Sequence, residues 1–192
     1  MTERIAVVGP GAIGSTVAAL LHAAGFPVLV AGRTPRPAVE VHPDPGLSLP
    51  ERIVLPEPVC TDPAAVDGPV DVVLLAVKDT QNAGAARWLD RLCGPDTVVC
   101  VLQNGVEQVD RVGALCPGST VVPAAVWFSA ESQPPGWVRL RTPVRLVLPD
   151  SPAAARLADV LGAAELTVEL DPDYLSEAWR KRVGAGLPWG QV

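Results

Sequence analysis

The chain has 192 residues, 48% of them hydrophobic, and a formal net charge of −6. This length suits one folded domain with a short appendage, and the hydrophobic content excludes an intrinsically disordered chain. The arginines are scattered and form no basic stripe, so nucleic acid is excluded as a partner.

An apolar segment runs from Ile5 to Arg33 and is long enough to cross a membrane, which takes about 20 residues. Glycine and proline interrupt it near both ends, however, and each piece fits an element of a folded domain. The pieces predict a strand at Ile5–Val8, a helix at Ala12–Ala24 and a strand at Phe26–Ala31. Because Met1–Arg4 carries one acid and one base, the start lacks the basic region of a secretory signal. We therefore expect a βαβ unit of a cytoplasmic protein, with no membrane span.

Alternating strands and helices follow the first unit. The proline-dense stretch 34–59 predicts loops around a short strand near Ile53–Leu55. The next predicted elements are a strand at Val70–Lys78, a helix at 80–94, a strand at 97–105, a helix at Val106–Leu115 and a strand at Ser119–Val126. This alternation is typical of an α/β fold with a doubly wound parallel sheet.

The pattern changes near the carboxyl end. Two alternating strands within Trp137–Leu148, separated by a Thr-Pro turn, predict an antiparallel extension of the sheet. A helix then runs from Ser151 or Pro152 to Leu161, and a strand covers "LTVEL". Asp171 is the predicted N-cap of a last helix, with Pro172 at its first position.

Gly9, Gly11 and Gly14 form the pattern G-x-G-x-x-G between the first predicted strand and helix. In this position the first glycine allows a tight turn, the second lets a pyrophosphate approach the backbone, and the third lets the helix pack closely. The free N–H groups of the helix would face the phosphates. A glycine-rich turn without a ligand is the alternative. The predicted cofactor-binding segment is Gly9, Pro10, Gly11, Ala12, Ile13 and Gly14.

Arg33 indicates which dinucleotide binds. Sites for NAD place an acid about twenty residues after the glycines, at the end of the second strand. Here that position reads "VAGRTPR", and no acid occurs before Glu40. Arg33 can pair with a 2′-phosphate, with Arg36 as support, which predicts NADP(H). A solvated loop arginine is the alternative.

Polar residues end two further predicted strands. Lys78 and Asn104 would lie at the carboxyl edge of the sheet, where open α/β folds bind ligands, and we expect them to outline one cleft with the glycine turn. Asn104 is followed by Gly105, and an Asn-Gly pair is also common in turns that bind no ligand, which is the alternative for Asn104. The four cysteines and two histidines have no metal-ligand spacing, so no metal site is predicted.

With these motifs the sequence resembles the ketopantoate reductases, the 2-dehydropantoate 2-reductases that use NADPH. The resemblance rests on "VVGPGAIGS", on "DVVLLAVK" ending at Lys78, on "LQNGV" around Asn104, on "PGWVRL" and on "SEAWRKRV". It implies that Arg33 binds the 2′-phosphate, that Lys78 and Asn104 lie near nicotinamide and substrate, and that Lys181 is the catalytic lysine. From the residues alone, Lys181 is one of three adjacent bases on a helix.

The resemblance also sets expectations about domains. Residues 1–170 would form a Rossmann-type NADP-binding domain, and 171–192 would begin a helical substrate domain that is mostly missing. Ala185 and Trp189 stand where the family has asparagines, and the glycines and Pro188 after Val183 would let the last helix fray. We therefore expect Lys181 to be solvated, and the chain to bind NADPH but to reduce 2-dehydropantoate poorly.

The predicted function is NADPH-dependent reduction of 2-dehydropantoate to pantoate, with a small 2-oxo acid as the substrate. Two alternatives stay open. One is a dinucleotide-binding module without turnover, and the other is a related oxidoreductase with another 2-oxo substrate. A homodimer also stays open.

Overall fold

The fold is α/β, and the computed structural model describes residues 3–105 and 107–184. The strands are β1 (Ile5–Val8), β2 (Val28–Ala31), β3 (Val39–Pro43), β4 (Ile53–Leu55), β5 (Val72–Leu75), β6 (Val98–Val101), β7 (Thr120–Pro123), β8 (Ala125–Val126), β9 (Ala130–Gln133), β10 (Trp137–Leu140), β11 (Arg145–Pro149) and β12 (Thr167–Asp171). The helices are α1 (Ala12–Ala23), α2 (Asn82–Leu92), α3 (Gln108–Gly113), α4 (Pro152–Gly162) and α5 (Tyr174–Gly184).

Five parallel strands form the central sheet in the order β2-β1-β5-β6-β7. The strands β1, β5 and β6 are four-residue apolar runs buried at every position, as expected for strands covered on both faces. This confirms the predicted parallel sheet. The chain leaves β1 toward β2 on one side and returns to β5 on the other, so the switch point of the sheet lies between β1 and β5.

A second sheet, in the order β4-β3-β10-β9, packs over α1. The sequence predicted only loops where β3 lies, and this prediction is wrong. Val39 and Val41 alternate inward and are 2% and 0% exposed, while Glu40 and His42 alternate outward. Burial against α1 therefore stabilises a strand in a segment rich in proline.

The two strands predicted within Trp137–Leu148 are present as β10 and β11, and the antiparallel extension is confirmed, but the two strands do not pair with each other. Strand β10 pairs parallel with β3 and antiparallel with β9, whereas β11 joins a third sheet in the order β12-β11-β8. The Thr-Pro segment between them is a corner and not a hairpin turn. The hydroxyl of Thr142 accepts a hydrogen bond from the Ser129 backbone N–H at 2.9 Å, which holds this corner where the chain changes sheets.

The last helix begins later than predicted. Asp171 is the final residue of β12, in register with Pro149, and α5 starts at Tyr174. The carboxylate of Asp171 accepts a hydrogen bond from the Asp173 N–H at 2.8 Å, so it stabilises the turn before the helix and is not its N-cap. Helix α4 starts as predicted, with Ser151 as its N-cap and Pro152 in its first turn.

Two observations concern the described residues as a whole. Within 3–105 and 107–184, no helix combines the length and the apolar character that a membrane crossing requires. Over the same residues, no cluster of three or more His, Cys, Asp or Glu side chains is arranged to hold a metal ion.

Candidate functional site

Two glycines in the turn between β1 and α1 have no room for a side chain. Gly9 has φ +102°, in the left-handed region that favours glycine. A Cβ atom on Gly9 would also lie 2.7 Å from Cγ1 of Val77. At Gly14 a Cβ atom would lie 2.2 Å from the carbonyl oxygen of Gly9. The first and third glycines therefore allow the sharp turn and the close packing of α1 against it.

Gly11, the second glycine of the motif, has a different environment. A Cβ atom there would meet no other atom of the described residues within 4 Å, and its φ of −76° is open to any residue. Gly11 is the N-cap of α1, and no described side chain caps the helix. The first N–H groups of α1 and the positive end of its dipole are therefore available to an anion. An open space at a helix N-terminus fits the pyrophosphate of a dinucleotide.

A cleft of about 600 Å³ opens at this turn, beside the switch point of the sheet. Most of the predicted cofactor-binding residues line it: Gly9, Pro10, Gly11, Ala12, Ile13, Arg33 and Lys78. Gly14 is buried behind the turn, and Asn104 lies elsewhere. The cleft therefore brings together residues that follow β1, β2 and β5.

Two arginines stand at the β2 side of the cleft. Arg33 is exposed and follows the strand directly after Gly32, with no acid at the end of β2. Arg36 is partly buried, and its Nη1 donates a hydrogen bond to the carbonyl oxygen of Pro10 at 3.1 Å. Arg36 therefore stabilises the glycine-rich turn, whereas the guanidinium of Arg33 is open to an anion in the cleft.

The structure separates Lys78 from Asn104. Strand β5 ends at Leu75, three residues before the predicted end, and Lys78 is exposed before a 3₁₀ turn at Asp79–Gln81. Lys78 lines the cleft at the glycine turn, and Asn104 lines a neighbouring pocket. The two loops are nevertheless tied, because Nε2 of Gln103 donates a hydrogen bond to Oδ1 of Asn82 at 2.6 Å.

The second pocket has a volume of about 130 Å³ and contains the predicted catalytic lysine. It lies between the loop that follows β6, the junction of β7 and β8, and helix α5. Its lining residues are Gln103, Asn104, Gly105, Gln108, Ala124, Ala125, Tyr174, Ala178 and Lys181. The fold therefore brings Asn104 and Lys181 together although they are far apart in sequence.

Lys181 is not solvated, so that expectation from the sequence is wrong. Its side chain is half-buried, and its Nζ lies 5.6 Å from the centre of the Trp127 ring. Burial lowers the pKa of Lys181 to about 8, because a low-dielectric environment disfavours the ammonium form. Ala185 and Trp189 lie outside the described residues. The backbone of α5 continues through Val183 to Gly184, and the rest of the segment predicted to fray also lies outside the described residues.

Gln108 and Tyr174 are polar residues of this pocket that the sequence did not single out. They are 5% and 6% exposed, and among the described residues neither Oε1 of Gln108 nor the hydroxyl of Tyr174 has a hydrogen-bond partner. Buried polar atoms normally have partners. The available signals were weak: Gln108 stands next to apolar Val109, and Tyr174 is the only tyrosine.

Comparison with known proteins identifies relatives over most of the chain. The family described as "Ketopantoate reductase PanE/ApbA" matches residues 5–153. The curated 2-dehydropantoate 2-reductase of Mycobacterium tuberculosis (strain CDC 1551 / Oshkosh) is 56% identical over 181 residues, which cover 94% of this chain and 60% of that protein. The enzyme of the same name from Caulobacter vibrioides is 35% identical, covering 92% of this chain and 59% of the relative.

Solved structures agree with this relationship. The ketopantoate reductase of the PanE/ApbA family from Ralstonia eutropha JMP134 superposes with a TM-score of 0.79 at 29% identity, covering 93% of this chain and 59% of that one. The chain thus spans about 60% of the length of the first relatives that it matches.

Proposed function

This chain belongs to the ketopantoate reductase family, and on that premise we propose that it binds NADPH and reduces 2-dehydropantoate to pantoate, a step of pantothenate synthesis. The observation that carries the proposal is that the cleft at the glycine turn and the pocket that contains Lys181 both lie at the carboxyl ends of the parallel strands. One fits a dinucleotide at Gly11, and the other holds a half-buried lysine beside Asn104.

The residues of the first cleft favour a dinucleotide with a 2′-phosphate. Gly11 leaves open space at the N-terminus of α1, where the pyrophosphate would accept hydrogen bonds from backbone N–H groups. Arg33 is exposed where sites for NAD have an acid, and its guanidinium can pair with the 2′-phosphate in two parallel hydrogen bonds. Lys78, on the opposite side of the turn, adds positive charge near the phosphates.

When bound, the cofactor supplies the hydride. The chain has to orient the ketone, stabilise the negative charge that develops on its oxygen, and deliver a proton to that oxygen. The ammonium of Lys181 can do the last two, since it is a cation and holds a proton that burial makes easier to release. Asn104 lines the same pocket and can hold the substrate by its side-chain amide.

The expected substrate is a small 2-oxo acid, which suits a pocket of about 130 Å³ next to the larger cleft. A cytoplasmic location is also part of the proposal. It is supported by the four cysteines, all of which are free thiols, as is usual in a reducing compartment.

Titration with NADPH and NADH, followed by an assay for NADPH oxidation with 2-dehydropantoate, tests the proposal. We expect NADPH to bind more tightly and its oxidation to depend on the 2-oxo acid. Lys181→Ala is the matched variant: it should keep NADPH affinity and lose about 10²–10⁴-fold in turnover. Tight NADPH binding without turnover of any 2-oxo acid would favour a binding module, and turnover of other 2-oxo acids alone would favour a related oxidoreductase.

A further inference from the structure

The side chains of Asn82 and Gln103 join the loops that follow β5 and β6. Nε2 of Gln103 donates a hydrogen bond to Oδ1 of Asn82 at 2.6 Å, and the return contact, from Nδ2 of Asn82 to Oε1 of Gln103, is 3.5 Å long and adds little. Gln103 is 6% exposed, so its amide has little access to water and depends on this partner. Asn82 is the first residue of α2, whose N-cap is Gln81. The Asn82 side chain therefore serves the link between the two loops and not the end of the helix.

The backbone of Gln103 is held as well. Its carbonyl oxygen accepts a hydrogen bond from Nε2 of Gln108 at 2.9 Å, in a buried contact with α3. That carbonyl belongs to the planar peptide unit that leads into Asn104, so its direction also fixes the N–H group of Asn104. Gln103 is thus held through its side chain from α2 and through its backbone from α3.

Asn104 has no comparable anchor of its own. It is exposed, and no hydrogen bond to another described residue holds its side chain. The next residue, Gly105, has φ +128°, and glycine restrains the backbone less than any other residue. Asn104 nevertheless lines the pocket that contains Lys181. Its place in that pocket therefore depends on Gln103.

We propose that Asn82 is a positioning residue for the reduction. It lines neither the cleft at the glycine turn nor the pocket of Lys181, so it touches neither cofactor nor substrate. By holding Gln103 it keeps the amide of Asn104 at a fixed place beside Lys181, where the ketone has to be oriented. Orientation of the reacting groups is a large part of catalysis, and a displacement of about 1 Å can lower a rate about 100-fold. This inference rests on the proposed function and adds α2 to the elements that shape the catalytic pocket.

Asn82→Ala tests the role, because it removes the acceptor for Gln103, and Asn82→Asp is the conservative variant that keeps an acceptor there. We expect Asn82→Ala to lower kcat about 10- to 100-fold. It should leave the affinity for 2′-phospho-ADP-ribose unchanged, because the expected contacts of that ligand are at the glycine turn and Arg33. Asn82→Asp should retain most of the turnover. In a chain that already carries Asn104→Ala, Asn82→Ala should lower kcat no further, because it acts through Asn104.

Arg91→Ala is the matched control, because it removes another partly buried hydrogen bond of α2, from Nε of Arg91 to the carbonyl oxygen of Val66 at 2.7 Å. It should lower the melting temperature and leave kcat unchanged. An equal loss of turnover in Arg91→Ala and Asn82→Ala would overturn the positioning role in favour of a general loosening of α2. A further loss of turnover in the Asn104→Ala background would overturn it too.

A second measurement does not depend on turnover. The NMR order parameter of the Asn104 backbone N–H group reports how rigidly the loop is held. We expect Asn82→Ala to lower this order parameter, and Asn82→Asp and Arg91→Ala to keep it. An unchanged order parameter in Asn82→Ala would overturn the inference. If the unsubstituted chain reduced no 2-oxo acid, the proposed function would be refuted, whereas the order parameter would still confirm or refute that Asn82 holds this loop.

Discussion

A Cβ atom on Gly14 would lie 2.2 Å from the carbonyl oxygen of Gly9, whereas one on Gly11 would meet no other atom of the described chain within 4 Å. The same motif therefore contains glycines with different physical roles. Gly9 and Gly14 shape the turn, and Gly11 leaves room for something outside the protein.

This difference predicts opposite outcomes for two substitutions. Gly11→Val should fold normally, because its backbone angles suit any residue, yet it should lose NADPH binding, because the side chain fills the phosphate space. Gly14→Ala should lower the free energy of unfolding by roughly 3 kcal/mol or more, since backbone must move to admit the methyl group. Thermal melting and NADPH titration of both variants check this. A folded Gly11→Val chain with unchanged NADPH affinity would refute the pyrophosphate assignment.

The two arginines of the cleft should affect the cofactors differently. Arg33→Ala should remove most of a ten- to hundredfold preference for NADPH over NADH, because a charge-assisted hydrogen bond contributes roughly 1.5–3 kcal/mol. NADH affinity should stay the same. The measurement is the ratio of the two dissociation constants. Equal affinities of the unsubstituted chain for NADPH and NADH would contradict the role of Arg33.

Arg36 should not discriminate between the cofactors. Its guanidinium donates to the carbonyl oxygen of Pro10, so Arg36→Ala should loosen the turn and weaken NADPH and NADH by a similar factor. Arg141→Ala, which removes a surface arginine paired with Glu131, is a matched control and should leave both affinities unchanged. A loss confined to NADPH in Arg36→Ala would show that this arginine also contacts the 2′-phosphate.

The parallel sheet could be predicted because each of its inner strands is a short apolar run between turn signals. Val72–Leu75 can be recognised without knowing its partner strands, because burial on both faces requires an apolar residue at every position of the strand. Strand β3 was missed for the opposite reason. Its pairing with β10 joins segments almost a hundred residues apart, as in the contact between Asp44 and Arg139, whose positions differ by 95. The alternation of Val39 and Val41 with Glu40 and His42 is a local strand signal, but it says nothing about such a contact.

In the candidate site, too, some features could be predicted from the local sequence and others could not. The positive φ of Gly9 and the contact between Gly14 and the carbonyl oxygen of Gly9 arise within the motif, as the motif predicts, although Gly9 is also crowded by Val77, which follows β5. The burial of Gln108, Tyr174 and Lys181 depends on how α3 packs on β7 and how α5 packs on β8 and β11, which the sequence does not disclose. For this reason the sequence predicted a solvated Lys181, and the structure has a half-buried one.

The lowered pKa of Lys181 predicts a pH dependence for the reduction. Only the ammonium form can donate a proton, and with a pKa of about 8 it is the major form below that pH and is lost above it. We expect kcat/KM to be level below the pKa and to fall about tenfold per pH unit above it. Lys181→Arg keeps its charge throughout this range, so any residual activity should lack that fall. An unsubstituted profile that stays level up to pH of about 10 would contradict the proton-donating role.

The same burial predicts that Lys181 destabilises the fold at neutral pH. A lysine whose pKa is 10.5 in the unfolded chain and about 8 in the folded one binds its proton more weakly when folded. The cost is fully present below pH 8 and fades as the pH rises toward 10.5, where the unfolded chain also loses the proton. Lys181→Met removes the charge and keeps the apolar stem. It should therefore raise the free energy of unfolding at pH 7.

We expect a gain on the order of 1 kcal/mol, because the side chain is only partly buried and the substitution also removes the favourable contact with the Trp127 ring. Urea denaturation at neutral pH and near the pKa of free lysine measures the gain at both ends of the window. Lys78→Met, which changes an exposed lysine, is the matched control. This substitution should not produce a gain in the free energy of unfolding that differs between the two pH values. A gain for Lys181→Met that is the same at both pH values would mean that packing, and not the buried charge, sets the stability here.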